Sequence, residues 1–206
     1  MSWKPREPFW GVAWPLGWAA LTATPYLTAW LAAPEGYRYL WLLPPYASDS
    51  QAYLAWARQA YLGAFLFKLK FTSIHHAPFL VQPYFFLVGR VASLGPWELG
   101  VVQLAFKSLG VIVFWTAFRR LARQLGFEGA ALWSATILAG FGAGLGGALL
   151  LLLGVATMVN HMPIDIWLID ANTAWSLTWN ALFPYSLALI LFFVEALDRA
   201  SSGEAG

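Results

Sequence analysis

The chain has no cysteine and few charged residues. The absence of cysteine excludes disulfides, thiol nucleophiles and cysteine-ligated metal sites. Only 11% of the residues are charged, against about 25% in an ordinary soluble domain. A net charge of +2 is too small to indicate a nucleic-acid partner. Hydrophobic residues make up 60% of the chain, so we expect an integral membrane protein.

Four apolar segments are long enough to cross a bilayer, which takes about 20 residues. The first contains prolines and tryptophans and has no small-residue cleavage site, so it is predicted to be an uncleaved anchor. The third is rich in glycine, which lets helices approach closely or ends a helix. A shorter apolar piece, 79–94, contains Gln82, Pro83 and Arg90 and is predicted to lie along the interface. The four predicted spans cover residues 9–33, 99–118, 129–156 and 173–197.

The distribution of basic residues favours one topology. If 79–94 does not cross, Lys4, Arg6, Arg199 and the arginine cluster at 119–123 all lie on the cytoplasmic side, as the positive-inside rule prefers. The predicted fold is therefore an all-α polytopic bundle in the plasma membrane, with both termini cytoplasmic. Its parts are a terminus at residues 1–8, a membrane module at 9–198 with external loops at about 34–98 and 157–172, and a polar tail at 199–206.

Asp49 stands out because it is the lone carboxylate in an aromatic neighbourhood next to an apolar span. A helix is predicted to begin there, with Ser48 as its N-cap and Gln51 as the capping-box partner. The helix dipole favours an ionised carboxylate in the first turn. Such a group could accept a proton, ligate a cation or simply cap the helix.

The two predicted external loops hold most of the polar chemistry of the chain, including all three histidines. Histidines and carboxylates bind divalent metals, but their spacing here matches no ligand motif. A divalent metal is therefore the one cofactor left open, and it has little support. The basic residues suit either a bound phosphate or ordinary lipid headgroups. These loop residues are Asp49, Arg58, Lys68, Lys70, His75 and His76 in the long loop, and Asn160, His161, Asp165, Asp170 and Asn172 in the short one.

A family resemblance rests on the stretch DSQAYLAWARQAYLG, which starts at Asp49, and on the segments that follow it. The order of membrane helix, acidic-headed loop helix, H-x-P, short apolar helix and arginine-ended membrane helix resembles the amino-terminal part of GT-C glycosyltransferases. These enzymes, among them the protein mannosyltransferases and aminoarabinose transferases, use polyprenyl-phosphate-linked sugars. The resemblance covers about residues 9–197, with Asp49, Tyr53, Arg58 and Gly63 in the motif and Asp170 in the second loop.

The resemblance implies an inverting transfer of a sugar from a polyprenyl phosphate to an acceptor hydroxyl on the external face. Asp49 would be the general base. Arg58, Lys68 or Lys70 would stabilise the leaving phosphate, while Asp170 and His76 would shape the acceptor pocket. The family pattern has a second acidic residue where this chain has Ser50, which weakens the case for a metal.

Members of that family continue through many more spans. We therefore expect this chain to act as one half of a split enzyme completed by a partner membrane protein, or to have lost catalysis. The alternative function is a non-catalytic structural or assembly subunit of a larger membrane complex, in which the aromatic residues and the glycine-rich span pack against partners. A small transporter would need more polar groups within the spans than Gln103 and Lys107 provide.

Overall fold

A computed structural model describes residues 7–43, 47–80, 82–142 and 173–202. Helices dominate these residues, and the only β-pairing among them is an isolated antiparallel bridge between Phe67 and Leu80. The predicted all-α class is therefore confirmed. The described helices are α1 (Glu7–Leu31), α2 (Ala47–Tyr61), α3 (Pro83–Ala92), α4 (Leu99–Gln124), α5 (Gly129–Phe141), α6 (Thr173–Trp179) and α7 (Phe183–Ser201).

The chain forms two compact units. One is Ala23–Leu109; the other combines Met1–Thr22 with Gly110–Gly206. The boundaries fall within α1 and α4, so each of these helices contributes to both units.

In the unit Ala23–Leu109, α2 packs against α3. The contact is close because Gly89 of α3 has no side chain. A Cβ at this position would lie 2.2 Å from the Ala57 carbonyl oxygen and 2.6 Å from the Ala60 Cβ. Ala57 and Ala60 are themselves fully buried. Small residues on both helices therefore set the separation of α2 and α3.

The other unit has an aromatic core around Trp115, which is fully buried on α4. Its ring centroid lies 5.1 Å from that of Trp18 and 5.7 Å from that of Trp14, both on α1. Gly140 of α5 packs on the same core, since a Cβ there would be 2.5 Å from Trp18 Cζ2. The predicted close approach through a glycine of the third span is thus observed at Gly140.

A charged network joins α4 to α7 in the same unit. The Glu195 carboxylate is buried and accepts a hydrogen bond of 2.8 Å from Arg120. It also pairs with Arg199, one turn further along α7. Two half-exposed guanidinium groups thus compensate the buried carboxylate, which would be costly to bury alone.

Within the described residues, one helix is long and apolar enough to cross a membrane. This helix is α4, in which a stretch of 18 residues has a mean hydropathy of 1.7. It extends beyond the predicted 99–118 and includes the arginine cluster. α1 confirms a helix in the first predicted span, but four crossings remain a prediction. In the third predicted span, 129–156, α5 ends at Phe141 with Gly142 as its C-cap. Residues 143–156 lie outside the described part.

Two predicted helices differ from the structure. The fourth predicted span is not continuous, because Asn180–Leu182 separate α6 from α7. Pro184 lies in the first turn of α7, where a proline favours a helix start, and the Asn180 side chain accepts a hydrogen bond from the Leu182 N–H. The predicted interfacial helix at 79–94 is shorter, Pro83–Ala92, because Phe79 and Leu80 form backbone hydrogen bonds with Phe67.

Candidate functional site

Helix α2 places Asp49 in its first turn, as the sequence predicts. The helix begins at Ala47, so Ser48 lies inside it and not at the predicted N-cap position. Such a difference of one or two residues is common at helix ends. The side chains of residues 47–49 are outside the described part of the structure. The backbone alone puts Asp49 where the helix dipole favours negative charge.

The two best-matched motif residues lie on opposite sides of α2. Asp49 and Arg58 are nine residues apart in one continuous helix. At 3.6 residues a turn this is about two and a half turns, or roughly 13 Å along the axis. One helix therefore cannot direct both residues at the same atom of a substrate.

The side of α2 that faces α3 is used for packing. The Tyr53 ring stacks on Phe85, with centroids 4.9 Å apart and planes 17° from parallel. Trp56 contacts both rings, at 5.8 Å from Tyr53 and 5.7 Å from Phe85. Tyr53, a predicted binding residue, is thus part of the α2–α3 interface.

The other side of α2 lines a cavity of about 410 Å³. Arg58 lies on its wall, and its guanidinium group is 4.7 Å from the centre of the Tyr61 ring. Apolar side chains form most of the lining, and Arg38 brings a second positive charge. The other lining residues are Tyr39, Leu40, Trp41, Leu42, Gln51, Leu54, Ala55, Glu98, Leu99 and Gly100. Because Arg38 is paired with Glu98, Arg58 carries the net positive charge of this mostly apolar lining, which suits an anionic amphiphile.

Glu98, immediately before α4, organises one wall of this cavity. It accepts hydrogen bonds of 2.8 Å from the Arg38 guanidinium and from the Trp41 indole N–H. These two donors, Trp41 first, hold the pKa of the Glu98 carboxyl below its ordinary value. Sequence analysis missed this cluster. The available signal was that Arg38 and Glu98 lie near the two ends of the predicted long loop.

Trp41 has an unusual backbone. Its φ is 59°, in the left-handed region that residues with a side chain rarely adopt. The surrounding contacts hold it there: its ring stacks 6.1 Å from Trp30, and Gly100 leaves room for its Cβ. A Cβ on Gly100 would be 2.4 Å from that of Trp41. A strained residue on the wall of a cavity is typical of functional sites.

Lys68, Lys70 and His76 follow α2 and are predicted to bind the phosphate or shape the acceptor pocket. Each of them has different contacts in the structure. Gln59 of α2 donates to the Lys68 carbonyl oxygen at 3.0 Å and accepts from the Lys68 N–H at 2.8 Å. Lys70 is exposed. The two ring nitrogens of His76 lie 2.9 Å and 3.2 Å from the carbonyl oxygens of Ala77 and Leu69. Carbonyl oxygens only accept, so in either neutral tautomer one ring N–H of His76 donates to one of these two carbonyls.

Some predicted features cannot be placed. Asp170 and the second loop, 157–172, lie outside the described residues. In the part of the chain that the structure does describe, no three histidine or acidic side chains form a metal-binding group.

Lys107 is buried at mid-length in α4, as the cost of exposing an amine to lipid suggests. Its Nζ lies 3.8 Å from the centre of the Tyr26 ring, in a cation–π contact. This contact accounts for a buried charge in an apolar helix and involves none of the predicted site residues.

No family model matches the sequence, and no curated protein or solved structure is significantly similar to it.

Proposed function

We propose that this chain is a GT-C-like membrane glycosyltransferase module, or part of a split enzyme, that transfers a sugar from a polyprenyl phosphate to an acceptor hydroxyl. The observation that carries the proposal is the position of Asp49 in the first turn of α2, ahead of α3 and the membrane-length α4. The same order of elements is the basis of the GT-C resemblance.

Asp49 is the proposed general base. The acceptor oxygen attacks the anomeric carbon, its proton passes to Asp49, and the bond from that carbon to the phosphate oxygen breaks. The phosphate leaves with the electron pair of that bond. A base in this role has to remain ionised within hydrogen-bond reach of the hydroxyl, and the N-terminus of a helix favours the ionised form.

The leaving phosphate needs positive charge on the face of the sugar opposite the acceptor. Arg58, Lys68 and Lys70 are the proposed residues for this role. Arg58 is separated from Asp49 by roughly 13 Å of helix, and Lys68 is bonded to Gln59, one residue further along α2. Arg58 also lines the apolar cavity, where it would attract an anionic amphiphile. Asp170 and His76 remain proposed acceptor-pocket residues.

The proposal is tested with the purified chain in proteoliposomes containing a polyprenyl phosphate that carries a radiolabelled sugar. Sugar released to water or to an added acceptor is measured. We expect Asp49→Asn to lower the rate by about 10²-fold or more while the lipid still binds, because only proton transfer is lost. Asp198→Asn, a carboxylate change on α7, is the matched control and should leave the rate unchanged.

Replacing Lys68 and Lys70 by Gln should lower both lipid binding and the rate. A wild-type chain that binds no polyprenyl phosphate and releases no sugar, alone and with its co-purifying partners, would refute the transferase proposal. So would an Asp49→Asn variant as active as wild type.

The second candidate is a structural subunit of a membrane complex, which two contacts favour. Tyr53 is stacked between α2 and α3, and His76 is occupied with backbone carbonyls. A packing subunit would purify with partner chains in fixed stoichiometry, and its assembly would be insensitive to Asp49→Asn.

A further inference from the structure

The segment from Leu66 to Leu80 leaves α2 and returns to α3 as a loop whose base is fixed. Phe67 and Leu80 form the isolated bridge, with a hydrogen bond of 2.8 Å from the Phe67 N–H to the Leu80 carbonyl oxygen. Phe67 is fully buried. We call residues 68–79, between these two, the tied loop.

Further contacts hold the tied loop in one shape. Gln59 bonds both backbone groups of Lys68, at the start of the loop. His76 joins the two sides of the loop, since Nε2 faces the Leu69 carbonyl oxygen and its ring packs edge-on against Phe79, 5.3 Å away. The loop therefore has a defined conformation without being part of a core.

Three large apolar side chains of the tied loop are exposed, two within the loop and one, Phe79, next to its base. Phe71 is 60% exposed, Ile74 is 75% exposed and Phe79 is 59% exposed. Large apolar groups grouped on one exposed loop indicate a contact with another apolar phase or molecule.

The charge of the region is of one sign. No acidic residue occurs from Ser50 to Trp97, a stretch that contains Arg58, Lys68, Lys70 and Arg90. Lys68 lies at the base of the tied loop and Lys70 directly precedes Phe71. Exposed apolar side chains in a basic stretch of sequence without acidic residues fit the interface of a membrane that carries anionic lipids.

We propose that the tied loop is a membrane-interface anchor: Phe71, Ile74 and Phe79 insert at the headgroup–acyl boundary, and Lys68 and Lys70 select anionic lipid headgroups. A membrane is the expected apolar phase because α4, in the same chain, is long enough to span a bilayer. The proposal does not depend on the transferase activity.

The natural lack of cysteine allows a direct test. Ile74→Cys is labelled with an environment-sensitive fluorophore in the full chain, reconstituted in phosphatidylcholine with and without phosphatidylglycerol. Accessibility to aqueous iodide is measured. Glu35→Cys, at an exposed polar position in the turn after α1, is the control.

We expect the Ile74 label to be shielded from iodide and blue-shifted when phosphatidylglycerol is present, while the Glu35 label stays accessible. Each lysine contributes about fivefold to binding an anionic surface, so Lys68→Gln with Lys70→Gln should shift the insertion equilibrium by roughly 25-fold. Salt should have a similar effect, because it screens the attraction.

Two results would overturn the proposal. One is an Ile74 label as accessible as the Glu35 label in both lipids. The other is shielding that is the same with and without phosphatidylglycerol and is unaffected by the lysine changes, which would exclude a role for anionic lipid.

Discussion

Glu98 shows how a single residue shapes the unit Ala23–Leu109. Its two carboxylate oxygens receive the Arg38 guanidinium and the Trp41 indole N–H, each at 2.8 Å. These bonds connect the segment after α1 to the start of α4. The bond from the indole N–H also fixes the Trp41 side chain on the cavity wall.

The Glu98 bonds predict an acid-dependent loss of stability. Because Trp41 and Arg38 lower the pKa of Glu98 from its ordinary 4.5, the ionised carboxylate stabilises the folded state above that value. The contribution is lost as the pH falls from 4.5 through the lowered pKa. Since Glu98 is 41% exposed, we expect Glu98→Gln to cost at most about 1 kcal/mol at neutral pH.

Thermal unfolding, followed by tryptophan fluorescence from neutral pH down to below the pKa of Glu98, measures the effect. The difference between wild type and Glu98→Gln should be largest at neutral pH and vanish in acid. Glu128→Gln, at an exposed position before α5, should show no such convergence. A Glu98→Gln difference that is constant with pH would mean that the charge contributes nothing.

At the scale of elements, the packing of α2 on α3 fixes where the site residues lie. Gly89 permits this contact, and the stacked Tyr53 and Phe85 fill the space beside it. Around Tyr53 and Ala57, this face of α2 is therefore filled by α3. The opposite face, with Arg58, is open to the cavity. The separation of Asp49 from Arg58 follows from the length of one uninterrupted helix.

Gly89→Ala should destabilise the α2–α3 pair. The added methyl would overlap the Ala57 carbonyl oxygen, a backbone atom, so the helices have to move apart, at a cost of about 1–3 kcal/mol. Gly17→Ala is the matched control because a Cβ there has no neighbour within 4 Å. In this exposed helical position alanine should be neutral or stabilising, by up to about 1 kcal/mol.

Unfolding temperatures of the two glycine variants in one detergent test this expectation. If both variants melted together with wild type, the close contact at Gly89 would not be a determinant of stability.

For the whole molecule, composition was enough to predict an all-helical chain, because apolar runs of this length form helices in either a membrane or a core. The capping pattern of Ser48 and Gln51 also predicted the start of α2 to within two residues. The break at Asn180–Leu182 was missed because the run around it is continuously apolar. The cluster of Arg38, Trp41 and Glu98 was missed because its members are up to 60 residues apart, and only tertiary structure brings them together.

The number of membrane crossings depends on whether α3 spans the bilayer. α3 has 10 residues, about 15 Å of helix, whereas the hydrocarbon core is about 30 Å thick. We therefore expect α3 not to cross. The loop after α1 and the loop after α3 should then lie on the same, external side, and the arginine-bearing end of α4 should be cytoplasmic.

Single cysteines in this cysteine-free chain can test the topology by labelling intact cells with a membrane-impermeant maleimide. We expect Glu35→Cys and Ser93→Cys to react from outside, and Phe127→Cys and Ser202→Cys to react only after permeabilisation. If α3 did cross, Ser93 would be protected and Phe127 would be labelled. Because α4 separates these two positions, opposite labelling of Ser93 and Phe127 would also show that α4 spans the membrane.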